Sequence, residues 1–371
     1  MTWQPDILGE GFEARTFLAA GADGVQRTAT LVRFRPGTPV GEGPGEGTPV
    51  GAGPAAGAAT DPGDWQGPRR TVLFLHGWSD YFFNVDLAQF WTSHGYEFYA
   101  LDMHNHGRSL RPDAPGGYVA NLADYDAEIE YAIGIIRSDV SPGKDMSPDE
   151  QSHQSRAPDK SMLLTMMGHS TGGLVAALWV SNHPGTVSHL VLNSPWLEMH
   201  GSSLVRRAAS TMVGPVARFR PEAVLRLPER GFYWRTISSS ADGEWALDDK
   251  FRPPMAFPLR AGWLSAVLSG HAKVARGLAI DVPILVLLSR GSATGPFWTE
   301  EMRRTDAVLD VNIIALRALT LGRTVTVERI DGALHDVFLS PARIRADAYE
   351  RLTRWLRGYG FPGSAEPGHR P

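Results

Sequence analysis

Residues 163–179 read LLTMMGHSTGGLVAALW, an apolar run, a glycine-rich turn that carries Ser170, and a second apolar run of helix-forming residues. A serine at a sharp strand-to-helix turn has its hydroxyl lifted above the edge of the sheet. Gly168 and Gly172 are needed there because a Cβ would clash with the strand or the helix. The helix also directs its N-terminal amides at the turn. A chance match among 40 glycines would lack these flanks, so we predict that Ser170 is a nucleophile.

Apolar runs and amphipathic segments alternate along the rest of the chain. Continuous apolar runs predict strands at 71–75, 96–101, 161–167, 189–193, 282–288 and 324–330. Helical periodicity lies between or after them at 85–93, 122–138, 174–182, 306–321 and 343–356. Strands without polar alternation are typical of a parallel sheet that is buried on both faces. We therefore predict an α/β fold with a mostly parallel central sheet flanked by helices.

Three segments interrupt this pattern. The first is the Gly/Pro-rich stretch 36–68. Before it, two runs with alternating polarity at 12–18 and 28–34 predict a hairpin. That stretch and the polar stretch 141–160 contain too little apolar surface to order themselves, and we predict flexible inserts. The long break at 195–278, named the lid segment below, predicts an inserted helical lid. The predicted core is therefore 1–194 and 279–371.

The partners of Ser170 are expected later in the chain. His335 follows the last apolar strand, in a loop that leaves the carboxyl end of the sheet, where a base can reach the serine. Asp306 and Asp310 both lie between the preceding strand and His335, and we favour Asp306 because it stands where a loop meets a helix. Asp336, next to the histidine, is interpreted as structural.

An oxyanion hole is predicted from two backbone amides. His76-Gly77-Trp78 follows the strand 71–75, and the glycine permits a bend that brings the amide of Trp78 to the site. The amide of Thr171 is the second donor. His76 itself is interpreted as an orienting residue. The pair His104-x-His106 resembles a metal site, but no further ligand cluster accompanies it, so neither a metal nor a cofactor is predicted.

Composition excludes several classes of function. The chain has 371 residues, 43% of them hydrophobic, and a net charge of −4, so a basic surface for nucleic acid is not expected. It has no cysteine, which excludes disulfides and thiolate catalysis. Neither a signal peptide nor an apolar run of roughly 20 residues, the length of a membrane helix, is evident. The expectation is a cytoplasmic protein.

Four stretches together resemble the serine aminopeptidase S33-like branch of the α/β hydrolases, which includes monoacylglycerol lipases and lysophospholipases. They are Phe74–Gly77, Asp102–Ser109, Gly168–Gly173 and Leu334–Asp336, and the resemblance spans roughly 71–356. It implies the α/β-hydrolase fold, a lid, and a triad of Ser170, Asp306 and His335 with amides of Trp78 and Thr171.

The chain departs from the family pattern at three places. His104-Asn105 replaces Arg-Gly in the motif Asp-x-Arg-Gly-His-Gly-x-Ser. Residues 289–305 separate the fifth apolar run from Asp306, where the family has the acid after a few residues. Ser79 stands where members of the lipase branch often have glycine.

Aromatic side chains in the lid segment favour a small-molecule ester substrate with an apolar acyl chain. They are Trp196, Phe232, Tyr233, Trp234, Trp245, Phe257 and Trp263. The same segment contains arginines that are candidates for binding an anionic head group: Arg206, Arg207, Arg218 and Arg220. A lid with an aromatic core and a solvated basic face explains both sets as well. The alternatives are a peptidase of the aminopeptidase type and a catalytically silent binding protein.

Overall fold

A computed structural model describes residues 2–21, 23–37, 67–140, 161–199, 213–226 and 230–359. The predicted insert 141–160 lies outside the described residues, as does nearly all of the insert 36–68. Arg206 and Arg207 also fall outside them.

The described strands form one sheet. They are β1 (Gln4–Pro5), β2 (Phe12–Ala20), β3 (Gln26–Phe34), β4 (Arg69–Leu75), β5 (Glu97–Asp102), β6 (Met162–His169), β7 (His189–Asn193), β8 (Ile284–Ser289) and β9 (Val325–Ile330). Their order is β1-β2-β3-β5-β4-β6-β7-β8-β9. The first four strands of this order pair antiparallel, and every pair from β5 onward is parallel. The predicted mostly parallel sheet is confirmed. The short strand β1 was not predicted, because no apolar run marks it in the sequence.

Helices cover both faces of the sheet. They are α1 (Val85–Ser93), α2 (Asp126–Val140), α3 (Thr171–Asn182), α4 (Phe232–Ile237), α5 (Ala261–Ala275), α6 (Val311–Ala318) and α7 (Ala342–Tyr359). Apolar residues of α1 and α7 share one core with the sheet, and those of α2, α3, α5 and α6 share the other. Buried side chains on both faces explain why β4, β6, β7 and β8 lack polar alternation.

One predicted helix begins at the wrong residue. Periodicity placed it at 306–321, but α6 begins at Val311. Asp310 caps it, because its carboxylate accepts hydrogen bonds from the amides of Asn312 and Ile313 at 3.0 and 3.3 Å. Asp306 consequently lies in the loop before the helix.

Helices α4 and α5 belong to the lid segment, between β7 and β8. Helix α5 lies against α3, and Trp263, Leu264 and Val267 of α5 are buried in the same core as Leu174 of α3. Across the residues that the structure describes, no helix combines the length and the apolar character that crossing a membrane requires.

A buried charge network ties the N-terminus to the sheet. Arg108 holds Asp6 with two hydrogen bonds of 2.6 and 2.7 Å and Asp102 with one of 2.7 Å. Asp102 also accepts the amides of Phe82 and Arg108. Because the three charged side chains are nearly inaccessible to water, the removal of one leaves the others uncompensated.

We expect Arg108→Ala to lower the free energy of unfolding by about 3–5 kcal/mol, because it leaves two buried carboxylates without their positively charged partner. Urea unfolding monitored by circular dichroism measures the change. Arg69→Ala is the control: Arg69 forms an ion pair with Glu97, but its side chain is 62% exposed, and we expect a loss below about 1 kcal/mol. Equal losses in the two variants would contradict this interpretation.

Candidate active site

Ser170 occupies the turn between β6 and α3 in a strained backbone conformation, with φ 51° and ψ −117°. Such a conformation costs a non-glycine residue on the order of 1–3 kcal/mol. Close packing enforces it. A Cβ on Gly168 would lie 2.5 Å from the carbonyl oxygen of Gly172, and one on Gly172 would lie 2.2 Å from that of His76. The turn therefore fits only with glycine on both sides of the serine.

His335 lies beside this turn. Its Nε2 is 3.0 Å from the hydroxyl oxygen of Ser170, and its Nδ1 is 2.9 Å from Oδ2 of Asp306. A carboxylate can only accept, so Nδ1 carries the proton and Nε2 has a lone pair for the serine hydroxyl. His335 and Asp306 are buried, whereas Ser170 is partly exposed. The structure thus brings the three predicted side chains into one hydrogen-bonded chain.

The position of Asp306 is fixed by the backbone around it. Its Oδ1 accepts the amides of Val308 and Leu309, both at 2.7 Å, which leaves Oδ2 for His335. Two amide donors thus hold the carboxylate in one orientation. Asp310, the competing candidate, caps α6 through its Oδ1, and the carboxylate hydrogen-bonded to His335 is that of Asp306. The geometry therefore favours Asp306 as the partner of His335.

A looped-out segment explains why this acid comes so late in the chain. Ser292 and Asp306 form a parallel bridge, with hydrogen bonds of 3.0 Å from the amide of Asp306 to Gly291 and 2.9 Å from that of Ala293 to Asp306. Residues 294–305 leave and return at this bridge, so Asp306 lies next to the end of β8 despite the distance in sequence. Within the loop, Trp298 packs against Phe232 of α4.

The turn after β4 packs directly on Ser170. A Cβ on Gly77 would lie 3.3 Å from Cβ of Ser170. Trp78 and Thr171 both line the cavity above the serine. Thr171 is the first residue of α3, where amides have no partner inside the helix. His76 Nε2 accepts the amide of Met103, and its Nδ1 donates to the carbonyl of Gly77, so the imidazole holds the backbone of the turn.

Hydrogen bonds of Asn193 and Asp336 hold the loop that follows His335. Asn193 donates to Asp336 at 2.6 Å and accepts the amide of Val337 at 3.1 Å. Asp336 also accepts the amide of Phe338 at 2.9 Å, so its carboxylate serves the loop rather than the serine. His169 lies against the carbonyl of Asn193, and burial lowers its pKa, so this imidazole is neutral at pH 7.

His104 and His106 are both used inside the protein. His104 forms a hydrogen bond with the buried carboxylate of Glu128, and His106 Nδ1 lies 2.9 Å from the carbonyl oxygen of His104. Burial lowers the pKa of His106. In the described ranges, no three His, Asp or Glu side chains are arranged to hold a metal ion.

A cavity of about 870 Å³ opens above Ser170. Six of the seven aromatic residues singled out in the lid segment line it: Trp196, Phe232, Tyr233, Trp234, Phe257 and Trp263. Trp245 instead donates to the carbonyl of Leu339, outside the cavity. The walls are therefore mainly aromatic and apolar on the side of the lid segment.

The charged residues of the cavity differ from those expected. Arg218 and Arg220 are exposed and do not line it, whereas Arg226, Arg230 and Arg252 do. Among the described residues of the wall, Asp80 is the one acid, and it forms a buried ion pair of 2.5 Å with Arg252. Sequence reasoning missed this pair because no local pattern connects residues 172 positions apart.

We expect Gly172→Ala to prevent folding or to lower the melting temperature sharply, because its Cβ would meet two backbone carbonyls, of His76 and Leu75, at 2.2 and 2.5 Å. Gly358→Ala in α7 is the control, since its Cβ would meet nothing within 4 Å. The control should keep or raise stability, by up to about 1 kcal/mol. Soluble yield and thermal unfolding measure both. A Gly172→Ala variant as stable as the control would contradict the close packing of the turn.

Known proteins with similar folds include lipases and esterases. A monoacylglycerol lipase from Paleococcus ferrophilus is 16% identical, with a TM-score of 0.56 over 79% of this chain and 96% of the other. A carboxyl esterase from Bacillus coagulans, solved with glycerol, is 14% identical, with a TM-score of 0.57 over 93% and 98% of the two chains. These likenesses show the α/β-hydrolase fold.

Sequence comparison gives the family. A monoacylglycerol lipase from Mycolicibacterium smegmatis is 27% identical over 173 residues, which are 44% of this chain and 53% of the relative, so the chain spans about half of that protein's length. The family model of serine aminopeptidase, S33, matches residues 66–291. This match covers the turn at Ser170 and ends before Asp306 and His335. Because it includes more than half of the chain, the protein belongs to the serine aminopeptidase S33 family of α/β hydrolases.

Proposed function

We propose that the protein is a serine hydrolase that cleaves carboxylic esters. The observation that carries the proposal is the hydrogen-bonded chain from Asp306 through His335 to Ser170, which ends at the floor of an apolar cavity. The family membership and the lipases and esterases among the similar proteins support it.

The proposed reaction has two steps. His335 Nε2 takes the proton of Ser170 as its oxygen attacks the ester carbonyl, and Asp306 stabilises the imidazolium that forms. The amides of Trp78 and Thr171 hold the oxyanion, each stabilising the transition state by about 3 kcal/mol. His335 then protonates the leaving alcohol, and water releases the acid from the acyl-enzyme by the same route. The nucleophile, the base and the oxyanion donors proposed for both steps are all groups of this chain.

The cavity favours an ester with an apolar acyl chain, such as a monoacylglycerol or a lysophospholipid. The aromatic rings of Trp196, Trp263 and Phe257 give the cavity an apolar surface on which an acyl chain can pack. An aminopeptidase would need a free carboxylate to bind the amino terminus of its substrate. The one acid among the described wall residues, Asp80, is already neutralised by Arg252.

A panel of p-nitrophenyl esters with acyl chains of two to twelve carbons, set beside aminoacyl p-nitroanilides, tests the proposal. The purified protein should hydrolyse the esters with a kcat/KM at least about 100-fold above that for the anilides. Faster turnover of the anilides would establish a peptidase, and no turnover of either class would favour a silent binding protein.

We expect Asp306→Asn to lower kcat/KM for the best ester on the order of 10³–10⁴-fold. The amide of asparagine no longer holds the imidazole of His335 in the required tautomer and does not stabilise the imidazolium that forms. Asp310→Asn is the matched control: asparagine caps helices as well as aspartate does, so activity should stay within about threefold of wild type. Circular dichroism checks that both variants fold. The opposite ranking would assign the acid to Asp310.

A further inference from the structure

A left-handed serine lies in the turn that contacts the nucleophile. Ser79, two residues after Gly77, has φ 56°, in the region that favours glycine. Its backbone conformation is therefore one that a serine adopts only under constraint. The side chain is also buried, at 4% exposed, although it carries a hydroxyl. Both features require an explanation from the surroundings.

The constraint comes from the lid segment. The amide of Phe257 donates a hydrogen bond of 2.9 Å to the hydroxyl oxygen of Ser79. Ala256, the residue before that amide, is itself left-handed, with φ 55°. The acceptor of this hydrogen bond is therefore a residue with positive φ, and the residue directly before its donor is another. Glycine in place of Ser79 would adopt this φ without strain but would give the amide of Phe257 no partner.

The neighbouring residues fasten the same two segments. Asp80 forms the 2.5 Å ion pair with Arg252 of the lid segment and also accepts the amide of Tyr81 at 2.9 Å. Both partners of the pair are buried, at 4% and 6% exposed. The turn 76–80 is thus joined to residues 252–257 by one neutral and one charged contact at consecutive positions.

Aromatic packing closes the contact from the other side. The indole of Trp78 donates to the carbonyl of Gly117 at 2.9 Å. A Cβ on Gly116 or Gly117 would lie 2.7 Å or 2.9 Å from the ring of Phe257. The ring of Phe257 therefore packs on the backbone of Gly116 and Gly117, and the indole of Trp78 is hydrogen-bonded to the same backbone at Gly117.

We propose that Ser79 is a positioning residue for the oxyanion hole: its hydrogen bond to Phe257 holds the turn 76–80 so that the amide of Trp78 points at the substrate carbonyl. The inference rests on the proposed ester hydrolysis. It also explains the serine at a position where a glycine would be free of strain, because only a side-chain oxygen gives the amide of Phe257 an acceptor.

Ser79→Ala and Ser79→Gly test the proposal. Alanine removes the hydroxyl and keeps the strain, and glycine removes both. Three constants are measured: kcat and KM for p-nitrophenyl butyrate, the inhibition constant of an alkyl trifluoromethyl ketone, and that of the matching methyl ketone. The trifluoromethyl ketone forms a tetrahedral adduct with a serine and so reports on the oxyanion hole, whereas the methyl ketone reports on cavity binding. Ser240→Ala, an exposed serine of the lid segment, is the control.

Both Ser79 variants should lose about tenfold in kcat and bind the trifluoromethyl ketone about tenfold more weakly. KM and the inhibition constant of the methyl ketone should stay within about twofold of wild type, and Ser240→Ala should match wild type throughout. If Ser79→Ala fails to fold, Ser79→Gly, which lacks the strain, supports the same comparison.

Four outcomes would overturn the proposal. Variants with a lower melting temperature and unchanged kcat would give Ser79 a role in stability alone. Equal weakening of both ketones would place the effect in cavity binding rather than at the oxyanion. If wild-type protein hydrolyses no ester, the proposed function itself fails and the role of Ser79 fails with it, whereas active wild type with unaffected variants rejects the role of Ser79 only.

Discussion

The turn at Ser170 is under steric constraint from three sides. Its backbone has a positive φ, and it stays there because Gly168, Gly172 and the carbonyl of His76 are packed too closely for any other chain path. The constraint lifts the hydroxyl out of the sheet and starts α3 at the next residue, so that the N-terminal end of the helix lies at the same point. Every other feature of the site, the imidazole of His335 and the cavity included, is arranged around that hydroxyl.

Two distant parts of the chain meet this fixed point by different means. Asp306 reaches the site because its bridge with Ser292 lets residues 294–305 loop out, so that Asp306 lies next to the end of β8. The turn 76–80 arrives through β4, and its outer side is bound to the lid segment by Ser79 and Asp80. In this arrangement, the lid segment both lines the cavity and supports the backbone that packs against Ser170.

Much of this could be predicted from the sequence, because its signals are local. The apolar runs predicted the parallel sheet, and the glycine pattern around Ser170 predicted the turn. One local signal was misread: helical periodicity placed a helix start at Asp306, whereas the cap at Asp310 shows that α6 begins at Val311. The other features that the sequence did not reveal depend on contacts that are not local. The pair of Asp80 with Arg252 joins residues far apart in sequence, and the cavity arginines differ from those chosen by composition. The catalytic roles of Ser170, His335 and Asp306 stay predictions.

The most direct test of the account is covalent labelling with a fluorophosphonate, followed by mass spectrometry of the proteolysed protein. A hydroxyl activated by His335 should take up one phosphonyl group per chain, and the modified peptide should be the one that contains Ser170. Absence of an adduct, or an adduct on any other serine, would contradict the claim that this turn carries the nucleophile.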